Sequence, residues 1–179
     1  MTEVALLHLL VACGSPEVTI DREVSPAVGI EAAGPLVPEE VSDVAAQLVG
    51  VVASYGYPTA HMEHANFLVD DKAVNRLEDK EGISRGGALA FAMCLDYREF
   101  CAAVFRQSTL EDVSARQVVF HETLHLLGFR HERCEIDHCE GIMGPVINRA
   151  FDQIAPEDIT REYLHKLLWV RPVQPGDEQ

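Results

Sequence analysis

The chain has 179 residues, enough for one domain with a sizeable core, and 47% of them are apolar, within the globular range. Its formal net charge of -15 argues against nucleic acid and anionic membrane surfaces as partners, while saying little about substrate. No stretch approaches the roughly 18 apolar residues of a membrane span.

In chain order, Val4 to Ala12 is a short apolar run that leads into Cys13. Leu10-Val11-Ala12-Cys13-Gly14-Ser15 resembles the bacterial lipobox. That resemblance implies a signal peptide over residues 1–12, a lipid anchor on Cys13 and an exported protein of the cell envelope or the extracellular space. Glu3, with no Lys or Arg before the run, departs from the usual signal pattern. The competing reading is a buried first strand carrying a free Cys, in a cytoplasmic protein. Residues 13–37 read as a linker, with Val18-Thr19-Ile20 as a candidate first strand.

Pro38-Glu39-Glu40 opens a helix, with Pro in the first turn and acids at its positive end. Val41, Val44, Leu48, Val51, Val52 and Tyr55 keep helical spacing to about residue 55, and Gly56 and Pro58 end it. His61 to Val69 reads as a strand. His61 and His64 on it are either surface histidines or the start of a second metal site. Asp70 to Ser84 reads as a solvated loop. Its acids Asp70, Asp71, Glu78, Asp79 and Glu81 could attract calcium, although no EF-hand spacing is present. Two apolar runs, 88–94 and 100–105, form a hairpin around residues 95–99. Ser108-Thr109-Leu110-Glu111 is a capping-box pattern starting a helix over about 110–127, buried through Val113, Val119, Leu124 and Leu127. Pro156-Glu157-Asp158 opens a last helix with Ile159, Tyr163 and Leu167 on one face, and residues 173–179 are a tail.

Within that long helix and just beyond it lies His121-Glu122-Thr123-Leu124-His125-Leu126-Leu127-Gly128-Phe129-Arg130-His131, which reads H-E-x-x-H-x-x-G-x-x-H. Residues four apart share a helix face, so His121 and His125 can bind one metal. Gly128 lets the backbone leave the helix with positive φ, and the chain returns His131 as a third ligand. Three nitrogen ligands leave a position open, the layout of a catalytic zinc rather than a structural one. Glu122 sits beside the metal, placed to act as a base. Five specified residues at fixed spacing arise by chance roughly once in a few million windows. Arg130 and His138 have no assigned role, and His138 is the residue most easily mistaken for a ligand.

This motif resembles that of the metzincin metallopeptidases. Gly141-Ile142-Met143-Gly144-Pro145 resembles their Met-turn, and Met143 followed by Pro145 is most similar to the matrixin branch. The astacin-type tyrosine two residues beyond the Met is absent. The resemblance implies one α/β domain over about 38–172, with a mixed twisted sheet, an antiparallel edge strand, an active-site helix and a C-terminal helix. It implies a zinc endopeptidase that holds one Zn²⁺ on His121, His125 and His131, with Glu122 as general base and Met143 as an apolar floor. Pro145 and Val146 would wall a substrate pocket, and residues 88–93 would form the upper rim that binds an extended peptide. Cys13-Gly14-Ser15-Pro16-Glu17 is faintly similar to the matrixin cysteine switch, without the Pro-Arg that precedes it there. Two other classes stay open: a non-catalytic zinc-dependent peptide-binding protein, and a zinc hydrolase of non-peptide substrates.

Apart from Cys13, four cysteines form two close pairs, Cys94 with Cys101 and Cys134 with Cys139. Two short-range disulfides suit an oxidising compartment. The alternative is a second, structural zinc on all four thiolates. Archaemetzincins carry such a site, but their C-terminal C-x-x-C is missing here.

Overall fold

The computed structural model describes residues 39–95, 100–132, 141–144, 148–167 and 169. Cys13, the candidate strand Val18-Thr19-Ile20, the pair Cys134 and Cys139, His138, Pro145 and Val146 lie outside the described residues.

Helix α1, Glu39–Ser54, forms where its apolar spacing places it, and Ala45, Leu48 and Val52 are its buried face. A three-stranded mixed sheet follows: β1 Asn66–Val69, β2 Ala90–Leu95 and β3 Phe100–Phe105, in the order β1-β3-β2. β1 runs parallel to β3, and β2 pairs antiparallel with it as an edge, with Ala92 opposite Ala103 and Cys94 opposite Cys101. Central β3 is apolar at every position because both of its faces are covered. Cys101, Ala103 and Phe105 face Val118, Val119 and Leu126 of the long helix that carries the motif. Val104 faces the other way, onto Phe91, Val74 and Leu77. Full burial of each such Val, Leu or Phe contributes about 1.5–3 kcal/mol. The protein is thus a mixed α/β structure, as expected.

Four expectations are corrected. The strand over 61–69 is shorter: Ala60–His64 is a 3-10 helix, and only Asn66–Val69 pairs with the sheet. The loop over 70–84 is instead helix α2, Asp71–Glu81. Its run of acids masked a sparse apolar stripe, Ala73, Val74 and Leu77, which is buried under the sheet. Asp70 caps it, accepting from the backbone N–H of Lys72 at 2.9 Å and of Ala73 at 3.0 Å, and Gly82 ends it in the left-handed region. Several acids considered for calcium have partners of their own. Asp71 accepts from the Gln107 N–H, Asp79 pairs with Arg85, and Glu78 is fully buried against Arg106 at 2.7 Å. Burial pushes the Glu78 carboxyl up, but bonds from Ala88, Arg106 and Gly86 outweigh this and hold it below the usual range.

The third correction concerns the capping box. Ser108 lies inside a short helix α3, Gln107–Leu110, and the motif helix α4, Ala115–Leu127, starts after Ser114. The break at 111–114 turns Val113 out to 63% exposure, so it is not a core residue. The fourth is the last helix. Pro156–Asp158 is a separate 3-10 turn, and helix α5, Arg161–Lys166, begins at its own cap, Thr160, which accepts from the Tyr163 N–H at 3.1 Å. Ile159 and Leu167 flank α5 and are buried, whereas Tyr163 is half-buried.

Candidate metal centre

Helix α4 is wrapped on several sides, by the sheet, by α1 and by the segment around Ile142, Ile159 and Leu164. Ten of its 13 residues are buried, including His121 and Glu122. Gly128, at φ +99°, ends it: the Gly128 N–H bonds the His125 carbonyl at 2.9 Å and the Phe129 N–H bonds Leu124 at 3.0 Å. A residue with a Cβ is strained at that φ, so Gly128 is what lets the chain reverse and bring His131 back to the helix.

The three histidines of the motif meet. Their Nε2 atoms are 3.0 Å (His121 to His125), 3.1 Å (His121 to His131) and 3.1 Å (His125 to His131) apart. These are not hydrogen bonds. Nδ1 of His121 donates to the Ile142 carbonyl at 2.8 Å and Nδ1 of His125 to the Phe129 carbonyl at 2.9 Å. Each ring thereby carries its proton on Nδ1 and turns a bare Nε2 lone pair inward. Converging lone pairs repel unless a cation lies among them. Ligands about 2.0–2.1 Å from a tetrahedral zinc would stand roughly 3.3 Å from one another, close to what is seen. The residues therefore fit a metal ion, and among the described residues they are the only His, Cys, Asp or Glu group that does.

The electrostatics agree with that reading. Burial, with the neighbouring His131, holds His121 down at about 3, against the bond to Ile142, and burial holds His131 at about 4. His125 is held well below its ordinary value by burial and by both other histidines. All three rings are neutral at pH 7, the form that ligates. Burial pushes the Glu122 carboxyl up to about 8, and the Ala92 backbone N–H, which bonds it, opposes this. Ala92 belongs to strand β2, so this strand borders Glu122.

The turn at 141–144 adjoins the histidines through Ile142. Met143 is fully buried in the cluster that holds Phe120 and Leu124. Glu132, next to His131, grips the turn twice: its N–H donates to the Met143 carbonyl at 3.1 Å and its carboxylate accepts from the Gly141 N–H at 2.8 Å. Gln117, with its amide oriented to satisfy both groups, bonds the Asn148 backbone N–H and C=O at 3.1 and 2.9 Å. Ile142, Glu132 and Ala92 carry no motif signal, because each acts through a backbone group or a local bond. Cys94 and Cys101 form a disulfide between β2 and β3, so that pair does not serve as thiolate ligands of a second zinc. At the other histidine pair, His61 Nε2 bonds the Leu126 carbonyl at 3.0 Å and His64 is exposed.

Comparison with known protein families, characterised proteins and solved structures returned no match.

Proposed function

We propose that the chain is a zinc-dependent endopeptidase of the metzincin type, closest in pattern to the matrixins. The observation that carries the reading is the convergence of three Nε2 atoms, two of them left proton-free by Nδ1 bonds to backbone carbonyls, with the buried Glu122 next in sequence to His121. His121, His125 and His131 would hold the ion. When bound, zinc would supply Lewis-acid polarisation of a carbonyl and acidify water.

The remaining chemistry belongs to the chain. Glu122, desolvated between α4 and β2, has a high proton affinity for a carboxylate. It is suited to take a proton from the attacking water and return it to the leaving amine. The Ala92 N–H limits the reach of that carboxyl. Among the described residues β2 is a sheet edge, a place where an extended peptide can add by main-chain hydrogen bonds. Met143 as the floor and Pro145 and Val146 as the pocket wall remain assignments by resemblance. Export fits the Cys94–Cys101 disulfide, and a lipid anchor on Cys13 rests on its residues alone. No helix of the described residues is long and apolar enough to cross a membrane.

The test is Glu122→Gln, which keeps the shape and removes the basicity. Zinc content should match wild type, while cleavage of an unfolded protein substrate should fall by about 10²–10⁴. Equal cleavage by both proteins would remove Glu122 as the base. A zinc-loaded wild type that cleaves nothing in a broad peptide library would leave the peptide-binding reading ahead.

A further inference from the structure

We infer that Tyr163 is a positioning residue for the metal centre: its hydroxyl fixes the 141–144 turn in the place from which the Ile142 carbonyl orients His121. The inference rests on the metal-site reading above, though not on peptidase activity.

Three observations lead to it. First, the Tyr163 hydroxyl accepts a hydrogen bond from the Met143 N–H at 2.9 Å, and the Ile142 backbone also contributes at this oxygen. Second, the ring lies against the turn so closely that no side chain fits beneath it. A Cβ on Gly141 would stand 2.5 Å from Tyr163 Cε2, 2.5 Å from the hydroxyl oxygen and 2.8 Å from Cζ. Third, the turn is also gripped by Glu132, the residue after the third histidine. A four-residue turn is thus held by Glu132 and Tyr163 at Gly141 and Met143, and the carbonyl of Ile142 between those two residues is the acceptor for His121 Nδ1 at 2.8 Å.

Packing alone does not call for the hydroxyl. Ile159, Leu164 and Leu167 anchor α5 in the core, and an apolar ring at position 163 would fill the same space. What the oxygen adds is a partner for a backbone N–H inside the site. Without it, that N–H must find another acceptor, and the turn moves to reach one. A shift there moves the Ile142 carbonyl, which fixes both the tautomer and the ring angle of His121. Tyr163 touches neither metal nor substrate, so its effect is exerted through the turn.

The experiment uses the full chain and the variant Tyr163→Phe, with zinc affinity measured by competition against a chromophoric chelator. Exchange of the His121 Nδ1 proton is followed by NMR in the metal-free protein. Zinc should bind about 10-fold more weakly in Tyr163→Phe, the low end for a partner outside the ligand set, and the Nδ1 proton should exchange faster. Gly141→Ala, which pushes the same ring from the turn side, should weaken zinc in the same direction and decides the matter if Tyr163→Phe does not fold. Zinc affinity within about twofold of wild type in the folded variant, whatever happens to its melting temperature, overturns the inference. A wild type that takes up no zinc overturns both this and the metal-site reading. A wild type that binds zinc but cleaves no peptide overturns only the peptidase.

Discussion

Two groups of histidine differ in which nitrogen keeps the proton. His61 and His64 are three apart in a 3-10 helix. His61 donates from Nε2 to the Leu126 carbonyl of α4, so that nitrogen has no lone pair to offer a metal. His121 and His125 donate from Nδ1 and aim bare Nε2 atoms at His131. Proximity of imidazoles is therefore not what marks a metal site. The backbone carbonyl behind each ring is, because it selects the tautomer.

The largest test of that contrast is to remove a ligand. His131→Ala should lose zinc affinity by more than about 100-fold, since even partners outside the ligand set cost 10–100-fold. Metal analysis showing full zinc in this variant would remove His131 from the ligand set, and His138 would be tested next.

Acidity gives an intermediate effect, in the metal-free protein. His121 is held near 3 and His131 near 4, against 6.5 when unfolded. Their contribution is complete above pH 6.5 and is lost as pH falls toward 4 and 3. By linkage, His121 alone should lower stability by about 3 kcal/mol between pH 6.5 and 4. Glu122 works in the opposite sense. Held near 8 against 4.5 when unfolded, it contributes fully below pH 4.5 and loses that contribution as pH rises through 8. Chelated protein should therefore be most stable near pH 6.5 in urea titrations. Glu122→Gln should abolish the decline on the alkaline side, and a decline that persists in that variant would mean that Glu122 does not cause it.

The smallest effect should come from the other cluster. His61→Ala removes one part-buried hydrogen bond, worth about 1 kcal/mol, and should leave zinc stoichiometry untouched. Loss of zinc in His61→Ala would show that the two clusters are coupled through Leu126.

Much of the centre was legible because it is written in side chains at fixed spacing. His121, His125, Gly128 and His131 each act by residue type, and the structure brings the three histidines together. The pair Cys94 and Cys101 was legible for the same reason. The parts that were missed act through the backbone or through context. Tyr163 read only as an apolar-face residue of a helix, because nothing local to it reveals a partner twenty residues earlier. Glu78 read as a solvated acid because Arg106, which pairs with it, lies in a different element. Helix α2 was hidden by its charges: a short helix under a sheet needs only Ala73, Val74 and Leu77 inside and can leave the rest polar. The helix break at 111–114 was hidden in the sequence by a capping pattern six residues before the true cap, Ser114.

The disulfide between β2 and β3 has a consequence for where the rim strand can sit. An edge strand is held on one side only, and a slip of one residue turns every inward side chain outward and every outward N–H inward. Such a slip would replace Ala92 beside Glu122 with Phe91 or Met93. It would also carry the Ala92 N–H away from the carboxyl it bonds. Cys94 and Cys101 stand directly opposite each other in the register, two residues beyond Ala92. A covalent bond at that rung permits one alignment of the two strands and no neighbouring one, so the amide that meets Glu122 is set by the disulfide two residues away.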